Sequence, residues 1–454
     1  MLPAESNDLF EKHPPPPVIK VYKRRWVILA IFVLYSCANA FQWIEYSIIT
    51  NIVVKFYRVS TTAVDWTSII YMIIYPFIVV PASYIIDTQG LRVTALIGGL
   101  GTALAAVVKV FSIRQDLFRL VLLGQAIGST AQVFVMCLPA KIAAVWFSPS
   151  EASLACSLAV FGTQLGFALG FVLPPSLVKN SEDLSVIASG LQQLCWLLAI
   201  YMIPVSVAII FYFPAQPPLP PSIAQFDERK LRKTSFRAFW DKFTNSLKHY
   251  GFVLHLAAYG INVGVYAGFG TFLNQIVVHF FPHGEEDAGR MGLLAVVFGM
   301  IGSILLGIFL DKTHRYKETT LFVYCMAAVG MLAMAGALRM RSLPLTYATC
   351  IFAGFFFNCY MPIGFELAVE LTFPSDESTT TGLMNAVTQS MGVIVTLALG
   401  KLNHQIGPLL SLVFLGLCLV IGAILTQNIP NVKRRQDEFE KNKRQEEEML
   451  ALKA

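Results

Sequence analysis

Charged side chains are scarce in this sequence. Asp, Glu, Lys and Arg make up 14% of its 454 residues and hydrophobic residues make up 56%, whereas a soluble protein usually has about 25% charged residues. So few charges could not keep the surface of a soluble chain hydrated, and the apolar excess must therefore face lipid. The composition excludes a soluble enzyme and predicts a multi-pass protein of the lipid bilayer, with no nucleic-acid partner.

The cysteines also lack the patterns that indicate a metal centre or a disulfide framework. All eight lie in apolar stretches, and none is spaced from another as metal ligands are. They are expected to act as small hydrophobic residues in helices, so neither a metal nor another cofactor is predicted. A signal peptide is not expected either, because a polar segment containing Pro14 to Pro17 precedes the first apolar run.

Long apolar runs, by contrast, are abundant. A bilayer core about 30 Å thick requires about 20 helical residues, and a helix satisfies its own backbone in lipid. One run is short, and the Lys109 side chain at its end is expected to snorkel and extend it to Ile113. Twelve runs almost free of charge predict an all-α membrane protein with twelve spans: 26–54, 66–86, 93–108, 120–140, 152–178, 184–213, 251–281, 291–310, 319–338, 342–365, 378–400 and 405–427.

The basic residues are distributed unevenly between the two sides of these spans. With an even number of spans both termini share one side, which holds 24 of the 34 Lys and Arg residues. Because cytoplasmic loops are enriched in Lys and Arg, both termini are predicted to be cytoplasmic. The predicted units are a tail at 1–25, six spans in 26–213, a proline-containing cytoplasmic linker at 214–250, six spans in 251–427 and a charged tail at 428–454.

The two groups of six spans repeat each other. Spans 2 and 8 each end with a small residue followed four positions later by an Asp, and basic residues such as Arg92 come next. Parallel six-helix repeats predict the major facilitator superfamily fold, with a substrate site between the halves near the midplane. Asp87, Arg92 and Asp311 are then predicted to gate the cytoplasmic side. Three matched pairs lie 224 or 225 residues apart: Asp87 and Asp311, Ser150 and Ser375, and Gln164 and Gln389.

Polar groups deep in the spans indicate where a substrate binds, because they are costly in lipid. No span centre has a Lys or Arg for an anionic substrate, and spans 4, 5, 7 and 11 lack a mid-depth carboxylate for proton coupling. His255 and His279, near the ends of span 7, are expected to be interfacial. Aromatic rings and neutral amides remain, and these suit a small cation or a neutral amphiphile.

A set of motifs across the whole chain points to one family. It includes Asn39-Ala-Phe-Gln-Trp-Ile-Glu-Tyr-Ser47, Asp65-Trp66, Ala131-Gln132-Val-Phe134, Gln164-Leu-Gly166, Gly284-Glu-Glu286 and Gly364-Phe-Glu366. With these motifs the sequence resembles the feline leukaemia virus subgroup C receptor-related proteins of solute carrier family 49. The resemblance covers all twelve spans.

This resemblance implies a facilitative carrier (uniporter) of choline and ethanolamine that works by alternating access, and not an enzyme. It implies that Trp43, Gln132 and Gln389 hold the cation and that Met72 lines the site. The family's span 7 aromatic position falls on Ala267, one residue after Tyr266, so the preference between choline and ethanolamine stays open. Tyr266 is the fifth predicted substrate-binding residue. Four further residues are predicted to line the substrate cavity: Tyr71, Gln164, Asn262 and Asn385.

Two other functions remain open from the sequence. Haem export is the family's older assignment, but haem needs axial ligands or cations for its propionates, and the span centres offer neither His nor Arg. A non-transporting receptor acting through its cytoplasmic segments is the third reading, since the tail at 431–450 is charged and helix-prone. A monomer in the plasma membrane is expected, with an internal membrane as the alternative location.

Overall fold

The computed structural model describes residues 19–222, 247–313, 315–372 and 377–430, together with Gln225 and Thr244. Within these residues twelve helical segments are long and apolar enough to cross a membrane, which confirms the prediction of twelve spans. In chain order, spans 1 to 12 are Arg24–Tyr57, Thr61–Ile86, Thr88–Val110, Phe118–Trp146, Leu154–Leu177, Leu184–Tyr212, Tyr250–Phe280, Glu285–Leu310, Tyr316–Arg339, Leu343–Thr372, Thr380–Ile406 and Pro408–Gln427.

Several spans differ from a single straight helix. Span 1 consists of two α-helices separated by a short 3₁₀ turn, span 4 of two consecutive helices, and spans 2 and 3 run on as one helical hairpin. The helices are Arg24–Ile44, the 3₁₀ turn Ser47–Ile49, Thr50–Tyr57, Thr61–Val110, Phe118–Met136, Leu138–Trp146, Pro149–Leu177, Leu184–Tyr212, Tyr250–Phe280, Glu285–Thr313, Tyr316–Arg339, Leu343–Thr372, Glu377–Ile406 and Pro408–Gln427.

The turn between spans 2 and 3 depends on Gly90. Its backbone has φ of 79° and ψ of −177°, a conformation that residues with a Cβ rarely adopt. Glycine therefore reverses the chain with no loop between the two spans.

The two six-helix halves meet along two seams. Span 5 packs against span 8, and span 2 packs against span 11. Within the first half, span 5 also lies directly on span 1, because a Cβ at Gly166 would come 2.2 Å from the Cys37 carbonyl oxygen. Such close approach is typical of small residues at helix interfaces in membranes.

One expectation about a charged side chain is wrong. Lys109 does not snorkel: it is 1% exposed and forms an ion pair with Glu45, and its helix ends at Val110. His255, near the start of span 7, is completely buried inside the protein, with Nε2 2.8 Å from the Gly364 carbonyl oxygen. Span 10, which supplies Gly364, continues to Thr372, beyond the predicted end at 365.

Candidate functional site

The break in span 1 comes directly after Trp43. The first helix ends at Ile44, and Ile49 has the non-helical φ and ψ values of −124° and 31°. No Gly or Pro lies between residues 45 and 49, so neighbouring side chains must hold the bent conformation. Ser68 on span 2 donates to the Trp43 carbonyl oxygen over 3.2 Å, which satisfies an acceptor that the interrupted helix leaves free.

The half-buried Trp43 indole is held by two other rings. Tyr71 stacks on it with a centroid distance of 5.7 Å and an interplanar angle of 5°. Phe167 of span 5 meets it edge-on at 5.4 Å. Spans 1, 2 and 5 therefore converge on one aromatic cluster, and an aromatic face attracts a cation within about 6 Å of its centroid.

Tyr71 also brings span 4 to this cluster. Its hydroxyl lies against Gly128, where a Cβ would be only 2.4 Å from the oxygen. Gln132 follows Gly128 by four residues and therefore lies on the same face of span 4, one turn further along. Gln132 is 3% exposed, and its Oε1 has no hydrogen-bond partner among the described residues.

Met72 reaches across the seam to the second half. The Thr396 hydroxyl lies 3.8 Å from its sulfur, and a Cβ at Gly392 would lie 2.8 Å from the same atom. Gln389, one turn before Gly392 on span 11, also contacts the first half, with Nε2 4.0 Å from the sulfur of Met136. The structure therefore places Met72 and Gln389 at the boundary between the halves, as expected for a central site.

The additional amide candidates differ in their surroundings. Asn385 lies on span 11, one turn before Gln389. Within the described part of the chain, Gln164 has an unpartnered Oε1 and Asn262 has neither amide atom paired. A buried polar group without a partner costs about 1–3 kcal/mol, so these atoms are available to a hydroxyl or amine of a ligand.

Tyr266 contacts span 10 rather than the aromatic cluster. Its hydroxyl accepts a hydrogen bond from Asn358 Nδ2 over 3.3 Å, and its ring lies 5.6 Å from that of Phe357, so it is tied to span 10. Gly264, two residues earlier, packs on the backbone of span 11, and two residues rotate a helix by about 200°. No ring contact between Tyr266 and Trp43 occurs within the described residues.

On the side opposite the termini, polar groups join the two halves. Asn51 and Asn180 both donate to Oε1 of Glu285, over 2.6 and 2.8 Å. Gln275 Nε2 donates to the buried Asp65 carboxylate over 2.7 Å. We call these five residues the far-side contacts. The sequence signal for them was present, since Asp65-Trp66 and Gly284-Glu-Glu286 belong to the resembling motifs, but their pairing was not predicted.

Apolar side chains also join the two halves, between the far-side contacts and the aromatic cluster. Phe171 of span 5 lies against Gly289 and Gly292 of span 8, where an added Cβ would come within 2.4 Å of its atoms. A Cβ at Gly270 of span 7 would lie 4.0 Å from Ile44, next to Trp43 in sequence. The halves are thus in contact between the aromatic cluster and the far side.

The predicted gating residues are only partly described. The side chains of Asp87 and Asp311 lie outside the described part of the structure, as does the charged tail at 431–454. Arg92 is exposed and donates to the Ile210 carbonyl oxygen over 3.1 Å, a contact within the first half at the end of span 6. This contact does not connect the halves.

Comparison with known proteins identifies the family of this arrangement. The model of the major facilitator superfamily matches residues 28–396. "Choline/ethanolamine transporter flvcr2b" of Danio rerio is 40% identical over 433 residues, 95% of this chain and 89% of the relative. The chain belongs to the feline leukaemia virus subgroup C receptor-related family of that superfamily. It is a membrane transporter and not an enzyme, as the sequence predicted.

Other members and two solved structures agree with this assignment. "Choline/ethanolamine transporter FLVCR2" of Homo sapiens is 40% identical, covering 95% of this chain and 82% of the relative. The crystal structure of the E. coli fucose:proton symporter FucP matches with a TM-score of 0.62 at 17% identity, over 90% of this chain and 98% of that one. A bacterial homologue of the human lysosomal transporter Spinster matches with a TM-score of 0.64 at 12% identity, over 90% and 97% of the two chains. These two likenesses confirm the fold of two six-helix repeats.

Proposed function

We propose that this transporter is a uniporter of choline and ethanolamine. The observation that carries the proposal is the Trp43 indole, stacked on Tyr71 and touched by Phe167. Two neutral amides add to it: Gln132, one turn from the Gly128 that Tyr71 contacts, and Gln389, at the boundary between the halves. Rings stabilise an organic cation, by roughly 2 kcal/mol or more once it is desolvated, and amide groups can bond its hydroxyl. Relatives named as choline/ethanolamine transporters support the same substrate class.

Buried charge at the site does not oppose a cation. The Lys109 ammonium is fully buried, but its partner Glu45 neutralises it. A cation would move down its electrochemical gradient, and an inside-negative potential favours its entry by about 2.3 kcal/mol per 100 mV. Uniport needs no coupling ion, and the proposed binding residues Trp43, Gln132 and Gln389 carry no carboxyl group of their own for a coupling proton.

Alternating access follows from the two halves. We propose that 26–213 and 251–427 rock about the aromatic cluster as two bodies, joined by the linker 214–250 and flanked by the tails 1–25 and 428–454. The far-side contacts support a state closed on that side. With the termini in the cytoplasm, as the distribution of Lys and Arg favours, this state faces inward, and Asp87, Arg92 and Asp311 would close the cytoplasmic side in the opposite state.

The proposed setting is a monomer in the plasma membrane. The twelve spans can enclose a site between their own two halves, so one chain provides every proposed binding residue. Surface biotinylation and size-exclusion chromatography with light scattering test location and oligomeric state.

A substrate panel tests the transport proposal. Radiolabelled choline, ethanolamine and haem are offered to cells that lack endogenous choline carriers and express this chain. Saturable uptake of choline or ethanolamine is expected, and Trp43→Ala and Gln389→Ala should abolish it at unchanged surface expression. Haem efflux without choline flux would overturn the substrate assignment, and uptake unchanged in both variants would overturn the proposed site.

A control variant shows whether substitution of any aromatic residue reduces uptake. Phe211→Ala changes an exposed aromatic residue at the end of span 6, a span that contributes none of the proposed binding residues. Its uptake should match that of the unmodified chain. A potassium diffusion potential imposed on proteoliposomes should increase choline entry when the inside is negative, because the transported charge is not compensated by another ion.

A further inference from the structure

A buried ion pair lies at the break in span 1. Lys109 of span 3 is 1% exposed and Glu45 is 2% exposed, and the Lys109 ammonium also lies 5.8 Å from the centre of the Tyr46 ring. Moving two charges out of water costs several kcal/mol for each ion, and replacement by apolar residues is often neutral or stabilising. The pair is therefore not explained by stability alone.

An amide on span 4 links this pair to the broken backbone. Lys109 donates to Gln125 Oε1 over 3.4 Å, and Gln125 Nε2 donates to the Gln42 carbonyl oxygen over 2.9 Å. In an unbroken helix that carbonyl would accept from the amide of Tyr46. The side chain of Gln125 thus takes the place of a missing helical hydrogen bond, while Ser68 does the same for the Trp43 carbonyl.

The break separates two functional parts of span 1. Trp43 lies on the first helix, and Asn51, which contacts Glu285 of the second half, lies on the second helix. Broken helices in transporters place substrate groups at the midplane. The position of the Trp43 ring therefore depends on how firmly the residues at the break are held.

We propose that Glu45, Lys109 and Gln125 are positioning residues that hold the break in span 1 and so orient Trp43 toward the substrate. Glu45 and Gln125 bind Lys109 from spans 1 and 4, and the three spans are joined at one ammonium group. This inference rests on the proposed transport of choline, but it concerns residues outside the proposed binding set.

A double variant separates positioning from stability. Glu45→Gln or Lys109→Met alone leaves one buried charge without its partner, and the chain should reach the surface poorly. The double variant Glu45→Gln/Lys109→Met removes both charges and nearly keeps the volume. It should reach the surface at the normal level, while the KM for choline rises about tenfold, which corresponds to about 1.4 kcal/mol of binding free energy, and the maximal rate changes less.

The matched control is another Lys–Glu pair of the same half. Lys55 and Glu182 are joined over 2.7 Å, with side chains 30% and 99% exposed, and Lys55→Met/Glu182→Gln should leave the KM unchanged. The choline-dependent increase in melting temperature of purified protein measures the same binding without transport. In the Glu45→Gln/Lys109→Met variant it should require about tenfold more choline.

Each result decides the inference. A wild-type KM in the Glu45→Gln/Lys109→Met variant overturns it, because both charges would then be dispensable for Trp43. Should that variant fail to reach the surface, Glu45→Asp decides in its place, since it keeps the charge and shortens the arm by one methylene. A raised KM supports positioning and an unchanged KM overturns it. Absence of choline uptake by the unmodified chain is a separate result, which overturns the proposed function instead.

Discussion

Spans 1 and 7 occupy the same place in the two repeats, yet their buried polar groups are treated differently. In span 1, Asn39 donates to the Gly128 carbonyl and to Thr102 over 3.0 and 3.1 Å, so its amide nitrogen is satisfied. In span 7, both amide atoms of Asn262 and of Asn274 are without partners in the described structure. Span 1 is broken and fixed by its neighbours, whereas span 7 is one continuous helix from Tyr250 to Phe280.

Spans 1 and 7 therefore have different tasks, although Gln132 and Gln164 elsewhere in the first half also keep an unpaired amide oxygen. The first half provides the held aromatic cluster, with its polar bonds made to spans 2, 3 and 4. The second half keeps unpaired amides on span 7, which can gain a partner when a substrate arrives or the halves move. Substitutions in the two spans and at the contacts between the halves should separate these tasks.

Replacing the two asparagines by leucine should change stability in opposite directions. Asn39→Leu removes the donor to the buried Gly128 carbonyl and should lower the free energy of unfolding by about 1–3 kcal/mol, whereas Asn262→Leu removes two unpaired polar atoms and should raise it by about the same amount. Thermal denaturation of the purified proteins measures both. Equal destabilisation by the two variants would contradict the contrast between the spans.

Weakening the far-side contacts should alter the balance of states. Glu285→Gln replaces charge-assisted bonds, worth about 1.5–3 kcal/mol, by neutral ones, and this should shift the population toward the far-side-open state by about tenfold. The labelling rate of Ser47→Cys by an impermeant thiol reagent, measured with and without Glu285→Gln, reports the opening. Lys55→Met, which removes an exposed contact with Glu182 inside the first half, serves as the control. Labelling that does not accelerate with Glu285→Gln would show that Glu285 does not hold this side closed.

Tyr266→Phe should have a smaller effect. It removes the hydroxyl that accepts from Asn358 but retains the ring, so the KM for choline should change about threefold or less, as expected for the loss of one neutral hydrogen bond. Initial uptake rates over a range of choline concentrations measure this. A loss as large as that of Trp43→Ala would place Tyr266 among the direct binding residues after all.

The smallest effect is expected at Glu182. Hydrogen bonding and charge from Lys55 lower the pKa of its carboxyl, so any stabilisation is present at neutral pH and is lost as the pH falls through the lowered pKa. Because the side chain is 99% exposed, solvent screens the pair, and Glu182→Gln should leave the melting temperature unchanged between pH 4 and 7. A clear decrease at pH 7 would show that the loop between spans 5 and 6 supports the fold.

Much of the fold could be predicted because its causes are local in the sequence. Each span is a run of apolar residues, and the repeat appears in residues such as Asp87 and Asp311 at a constant offset. Trp43 and Gln132 could be proposed because a polar or aromatic group at membrane depth is conspicuous in a single run. These features need no knowledge of which spans are neighbours.

The remaining features depend on contacts between distant segments. The short run predicts that Lys109 lies at the membrane surface. Its burial is explained only by the position of Glu45 on another span. The break at 45–49 has no Gly or Pro to indicate it. Tyr266 and Ala267 differ by about 100° in direction, a rotation that the sequence does not specify but the packing of span 7 on spans 10 and 11 does.

The Glu285 carboxylate links the far side of the molecule to the aromatic cluster. Oε1 of Glu285 accepts simultaneously from Asn51 on span 1 and from Asn180 just beyond span 5, so both bonds form only when these two helices are correctly spaced. Trp43, on the first helix of span 1, and Phe167, on span 5, belong to the same two spans, and their rings meet edge-on at 5.4 Å. A substrate that spreads the two rings is therefore expected to weaken one of the two hydrogen bonds to Glu285 before the other.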